Sequence, residues 1–431
     1  MLRVLRLPGD GDLTPTSPRL WTKTIGILLV LSVTTSFALG ADASGKIKVI
    51  GTGKACSTPI LAQWFTTEPS TDPLIIPTRT AGTVSGSDLK RYMRIYFPRN
   101  YEELLQYDHF FMAQVDLGFV SPKQQRWIYE ALTQHRKGGV NTRSIMSMHA
   151  AYHLPWRDSI LSQAFPNDVA AVVEDIGNKM GEPGPLTVRD EAELPNIMKA
   201  YKEKIEPLFS NYHGMNTVPK PGSVILSYTS NNVGLGYPIP GQIAHVFYWR
   251  WNNSITFTFR DMVGNDFWSP GGSSRTNPYS MDIVANVIWF SVGRELPEDA
   301  FRIHDLRRLI FDFGLQKNLL VSLLDFSEKF GADPSTQYRE LREIEELSGD
   351  AADLYLEMDF DPAHEAMERA LQEIKLLQNS AVQLKDTALM WVYVVDWLVT
   401  TSMMLISGFV LWSLMVRRKL YKQVRSTRWQ S

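Results

Sequence analysis

The spacing of apolar positions changes character three times along this chain. Through the first half, short apolar runs of strand length alternate with segments of helical spacing. In 46–52, Ile47, Val49 and Ile50 lead into Gly51 and Gly53, the pattern of a buried first strand. A polar, proline-rich stretch covers 66–87. Residues 92–97 predict a second strand, 101–105 a short helical turn, and 108–115 another strand. Ser121 and Pro122 open a helix: the serine caps it, the proline occupies its first turn, and Trp127, Ile128, Ala131 and Leu132 recur at helical spacing. Gly138-Gly139 ends that helix, and 144–148 is the next apolar strand. The alternation predicts an α/β fold with a mostly parallel sheet flanked by helices.

Residues 243–268 are dense in aromatics, among them Phe247, Tyr248, Trp249, Trp251, Phe257 and Phe259. Two alternating runs on either side of Asn252-Asn253 predict a β-hairpin. Its aromatics are either sheet core or an exposed platform for sugars or a partner.

From Pro297 the period becomes helical. Residues 300–330 form one predicted helix, broken by Gly331 and Pro334, and 337–356 a second. Asp361-Pro362 starts a third. Its apolar residues Ala363, Met367, Ala370, Ile374, Leu377, Ala381, Leu384 and Ala388 follow alternating spacings of four and three, a heptad seam. The predicted arrangement is an α-helical bundle stalk over 299–386. Its seam packs within the chain or carries a partner or self-association through the 361–416 helix.

The seam runs into 388–416, which is almost wholly apolar and long enough to span a roughly 30 Å hydrocarbon core. Trp391, Tyr393, Trp397 and Trp412 sit near its ends, where interfacial aromatics belong. Arg417, Arg418 and Lys419 open a basic tail, 417–431, that the positive-inside rule places in the cytoplasm. Asp396 lies inside the apolar run, either at the outer interface or paired with a partner helix. At the other end, a basic flank precedes a short apolar run over 25–39 and the small residues Gly40, Ala41 and Ala43. Segment 1–43 therefore reads as a signal peptide or a signal anchor. Both ends give one topology: a single-pass protein of the cytoplasmic (plasma) membrane, with the bulk of the chain outside. Asn252-Asn253-Ser254 is a sequon.

Composition narrows the classes. The 431 residues are 44% apolar and 21% charged, which is globular, and a net charge of -2 argues against a nucleic-acid binder. The single cysteine, Cys56, excludes an intramolecular disulfide and a cysteine-rich zinc module. Gly51-Thr52-Gly53-Lys54 lacks the spacing of a phosphate loop, so no cofactor is implied. His149 and His153 are four residues apart, but Leu154-Pro155 interrupts any helix there, and no metal site is expected.

The string YDHFFMAQVDLGFVSPKQQRWIYEAL resembles a segment of class I glutamine-amidotransferase-like domains. SIMSMHAAYH fits the strand and tight turn that follow there, HLPWRDSILSQAFP resembles a Trp-containing segment of non-catalytic members, and NPYSMDIVANVIWFSVGRELP is similar to a closing helix of membrane-associated members. The resemblance covers 46–298 and implies a flavodoxin-like sheet. A working amidotransferase needs a cysteine at the strand-to-helix elbow. Here that position reads Met148-His149-Ala150-Ala151-Tyr152, so the family's thiolate is missing.

The expected role is therefore non-catalytic: ligand or partner binding, or assembly of a membrane complex. The alternative is an envelope hydrolase of glycans or peptides. Its crevice would be built around Cys56 and His149, with Asp116 and His153 as further candidates near the carboxyl ends of the strands.

Overall fold

The computed structural model describes residues 45–54, 65–79, 85–113, 115–133, 144–148, 156, 158–168, 185–208, 218–229, 243–252, 254–260, 266–268 and 277–427. The signal reading of 1–43 lies outside them. Among the described residues, eight strands form one sheet: β1 (Ile47–Lys54), β2 (Thr71–Arg79), β3 (His109–Ala113), β4 (Ser144–Met148), β5 (Leu186–Val188), β6 (Val224–Thr229), β7 (Ile243–Trp251) and β8 (Ser254–Phe259). Their order is β2-β1-β3-β4-β8-β7-β6-β5. The first five in that order are mutually parallel, and β7, β6 and β5 add antiparallel strands beyond β8.

Two expectations need correction. The proline-rich stretch contains β2, paired in parallel with β1 from Ile47↔Thr71 onward. Pro73 and Pro77 hide it in the sequence, yet β2 is the edge of the sheet, where a strand can lack ladder donors. The segment read as a second strand is instead helix α1 (Gly86–Tyr96). Ser85 caps it by accepting the Asp88 N–H, and Leu89, Met93 and Phe97 recur every fourth residue as its buried side.

The remaining early elements follow the sequence pattern. A short helix α2 (Tyr101–Leu104) precedes β3, and α3 (Pro122–Thr133) follows it. The start of α3 is a reciprocal capping box: Ser121 Oγ accepts the Gln124 N–H, and Gln124 Oε1 accepts the Ser121 N–H at 2.9 Å.

Alternation along β3 divides the core. Phe110 and Met112 face α1, α2 and α3, together with Trp156 and Phe165. Phe111 and Ala113 face the other way, toward a nearly fully buried helix α5 (Ser280–Ser291), a single turn α4 (Lys202–Ile205) having intervened in the chain. The β7–β8 hairpin forms as expected, with Asn252 in its turn at φ 51°. Phe247, Tyr248, Phe257 and Phe259 are buried, so these aromatics are sheet core.

Three long helices complete the chain: α6 (Ala300–Lys329), α7 (Ser335–Leu356) and α8 (Phe360–Thr427). Asp299 caps α6 through the Phe301 and Arg302 N–H groups. At its end, Gly331 takes φ +86° while Ala332 N–H reaches Ser327 O and Gly331 N–H reaches Glu328 O, a closure that positive φ makes possible. Arg302 pairs with Asp361, and Gln378 donates to Gln316, so α6 runs parallel to α8. Gln337 donates to Ser380 near the start of α7, which therefore runs antiparallel to both. The seam residues Ala363, Met367, Ala370, Ile374, Leu377 and Ala381 are buried in the core that α6 and α7 share with α8, and Ala388 is also buried. From Met390 to Tyr421 the side chains of α8 are mostly exposed, and the helix is long and apolar enough to cross a membrane. At 68 residues it is about 100 Å long.

Candidate functional site

The parallel strands bring their carboxyl ends to one edge of the sheet. Neighbours of β1 on its two sides are β2 and β3, so the chain leaves β1 toward one side and returns on the other. Ligands of open α/β sheets lie outside the carboxyl ends of the strands at such a switch point. Here the ends of β1 and β3 approach closely. Gly53 has φ +152°, and a Cβ on it would lie 1.8 Å from the Ala113 carbonyl oxygen. Glycine is the residue that allows this approach.

Asp116 stands just past β3 on this edge. It caps the short 3-10 turn Leu117–Phe119, with Oδ1 accepting the Gly118 N–H at 2.9 Å. Its position is held from below by Trp156, which is fully buried, donates Nε1–H to the Val115 carbonyl at 3.0 Å, and packs edge-on against Phe165. The capping bond gives Asp116 a structural task that residue type alone does not reveal. Cys56, His149 and His153 lie outside the described residues. Gly51 to Lys54 continue β1 as strand, with a register shift against β2 between Gly53 and Lys54. Among the described residues, no three His, Cys, Asp or Glu side chains are grouped to hold a metal ion.

At the opposite, amino edge of the sheet lies a cluster of buried charges. Arg307, on the third turn of α6, is buried. Its Nε donates to Glu68 Oε2 at 3.0 Å and to Tyr355 Oη at 2.9 Å, and its Nη1 donates to Asp282 Oδ1 at 3.0 Å. Tyr355 donates to Glu68 Oε1 at 2.8 Å, and Ser70 Oγ donates to the same oxygen at 2.6 Å. Trp289 donates Nε1–H to Ser70 Oγ and places its ring 5.2 Å below the guanidinium. His304 Nδ1 lies 2.7 Å from Asp282 Oδ2. One guanidinium thus faces two carboxylates.

The cluster ties four elements together: the segment before β2, α5, α6 and the end of α7. Burial works against the Arg307 charge, but Tyr355, Glu68 and Asp282 outweigh it and hold the guanidinium well above its ordinary value. Burial also pushes the Tyr355 phenol well up, with Glu68 adding to the effect, so the phenol keeps the proton it donates. Arg307, Glu68, Asp282, Tyr355, Ser70 and Trp289 are buried and only His304 is partly exposed, so the cluster orients elements and offers little reacting surface.

The cluster also fixes direction. Glu68 and Ser70 immediately precede β2, and His109, the first residue of β3, has Nδ1 3.1 Å from Ser291 Oγ on α5. The amino ends of β2 and β3 therefore face α5, α6 and α7. The carboxyl edge, with Gly53 and Asp116, is on the other side of the sheet.

Sequence reasoning missed this cluster. A signal was present: Arg307 is four residues after Ile303, one after Leu306 and three before Ile310, a charge set into an apolar face. Its partners were not legible, since Glu68 is 239 residues away.

On the apolar part of α8, Asp396 is exposed and its carbonyl accepts the Thr400 hydroxyl. About 20 residues cross a hydrocarbon core, and counted back from Arg417 they end at Trp397, next to Asp396. Arg417, Arg418 and Lys419 are exposed just beyond the run.

No protein-family model matches this chain, and no curated protein matches it. Among solved structures, a ThuA-like protein from Parabacteroides merdae is similar at 15% identity, over 59% of this chain and 94% of that one, with a TM-score of 0.33.

Proposed function

We propose that this chain is a single-pass, membrane-anchored protein whose extracytoplasmic, amidotransferase-like domain binds a ligand or partner without catalysing amide hydrolysis, and that it serves in assembly of a membrane complex. The observation that carries the reading is a direction. The sheet is held at its amino edge by Arg307 and its partners, α8 continues from that side into the apolar run, and the carboxyl edge faces away. A flavodoxin-like strand order supports it, since β2-β1-β3-β4-β8 is the 2-1-3-4-5 arrangement once β8 is counted as the fifth parallel strand. The helices over 299–386 then act as a stalk that presents the ligand edge away from the bilayer.

The absence of amidotransferase chemistry rests on the elbow. β4 ends at Met148 and the sequence continues His149-Ala150-Ala151, with no thiol or hydroxyl to attack a carbonyl. The basic residues Arg417, Arg418 and Lys419 orient the span with its carboxyl end in the cytoplasm.

Two measurements on the full-length chain test the proposal. Photo-crosslinkers at Asp116 and Phe119 in native membranes are expected to capture one reproducible partner, and purified chain is expected to release no ammonia from glutamine. Glutamine turnover that disappears in Cys56→Ser would overturn the non-catalytic reading.

A further inference from the structure

A second apolar line runs along α6 on the side that α7 and α8 leave open. Leu315, Leu319, Phe326 and Phe330 are 50%, 61%, 40% and 39% exposed. Their spacings of four, seven and four residues place them within an arc of about 60° at 3.6 residues per turn. The buried face of α6, with Leu306, Phe313, Leu320 and Leu324, points roughly the opposite way. Phe326 and Phe330 pack against each other with ring centroids 4.7 Å apart, which keeps both rings on that line.

Charge decides what can cover this face. Helix α7 carries six acidic and two basic residues over Ser335–Leu356, and repels any approaching copy of itself. Helix α6 carries four acidic and five basic residues over Ala300–Lys329, so it is the near-neutral side of an acidic helical group. Arg308 lies on the same arc, with Asp305 and Asp312 within about one turn on either side. Two copies related by a parallel twofold axis bring equivalent residues together, so leucine meets leucine and phenylalanine meets phenylalanine across the axis, while Arg308 keeps Asp305 and Asp312 of its own helix within reach.

The direction of α6 excludes lipid as the cover. It runs parallel to α8, hence along the membrane normal, and a bilayer surface cannot lie along it. Two chains anchored in one membrane have their α6 helices parallel without further cost, and their confinement raises the effective concentration.

We propose that the exposed face of α6 is the self-association surface of this protein: a parallel, twofold α6–α6 contact through Leu315, Leu319, Phe326 and Phe330. This rests on the membrane-anchored reading given above. It differs from pairing through the α8 seam, whose residues are buried within the chain.

Disulfide trapping in native membranes tests it on the full chain. Leu319→Cys and Phe326→Cys are compared with wild type, whose one cysteine is Cys56, and with Glu346→Cys on the exposed side of α7. Oxidation is expected to give reducible dimer from Leu319→Cys and Phe326→Cys well above both references. Leu319→Glu, an exposed position that monomer folding does not need, is expected to lower the dimer fraction trapped at Phe326→Cys by about tenfold. Dimer at wild-type level from both α6 variants, or equal dimer from Glu346→Cys, overturns the proposal. Carbonate extraction of the same membranes is a separate readout: release of the chain sinks the membrane-anchored reading, whereas retention without α6 dimer sinks only the self-association.

Discussion

Arg307 and Glu68 are 239 residues apart in the chain and 3.0 Å apart in space, and between them they join the sheet to the long helices. Tyr355, Glu68 and Asp282 together keep the buried guanidinium charged. A buried ion pair is weak evidence for net stability, because desolvation offsets the attraction. Losing one partner is different, since it leaves a charge sealed away from water.

Arg307→Met is therefore expected to destabilise the chain by about 3–5 kcal/mol, leaving Glu68 and Asp282 buried without the guanidinium they share. Tyr355→Phe, which removes one donor to Glu68, is expected to cost about 1–3 kcal/mol. The urea midpoint of the detergent-solubilised chain measures both. A double-mutant cycle with Glu68→Gln should show strong coupling to Arg307→Met. Additive losses would mean that the pair is held by packing alone.

His109 makes a separate prediction about pH. Burial lowers its imidazole from 6.5 to about 3, so the folded chain keeps it neutral. Between those values the unfolded chain binds a proton that the folded chain refuses. Stability contributed by this group is thus complete above pH 6.5 and falls as the pH drops toward 3, by up to about 1.4 kcal/mol per unit. His109→Gln should flatten the stability profile between pH 5 and 6.5, above the range where carboxylates titrate. An unchanged slope in that window would assign the acid sensitivity elsewhere.

Backbone geometry at the switch point is tested by a pair of glycines. Gly222, at φ +89° with no atom near the place of a Cβ, should accept alanine at a strain cost of about 1–2 kcal/mol. Gly53→Ala meets the Ala113 carbonyl as well as the strained φ and must push β1 away from β3. It is expected to abolish folded expression, read as loss of protease-resistant chain. Equal tolerance at both positions would show that the β1–β3 ends can separate freely.

These elements also mark what the sequence made legible. β3, α3 and the β7–β8 hairpin follow from period and capping alone, because Ser121, Gln124 and Asn252 act locally. β2 did not, since Pro73 and Pro77 are tolerated only because the strand is an edge, a property of the assembled sheet. The segment around Tyr92 is an apolar and aromatic run of strand length, and only Leu89, Met93 and Phe97 together expose its helical side. Asp116 was recognisable as a strand-end carboxylate, but its capping bond depends on the turn it caps. The Arg307 cluster required long-range pairing that no local period encodes.

The seam on α8 gives the last test. Ala363, Ala366, Ala370 and Ala381 are buried at helix–helix contacts, where small residues let backbones approach closely. Ala370→Leu inserts three carbons into a closed space, and overpacking of that kind costs about 1–3 kcal/mol. Leu376, 68% exposed on the same helix, should accept serine with little change. If the seam instead paired with a second chain, Ala370→Leu would alter oligomeric state and leave the unfolding midpoint of the monomer untouched. Loss of stability with unchanged disulfide trapping at Phe326→Cys is the expected pair of results. It separates the intramolecular role of α8 from the intermolecular role proposed for α6.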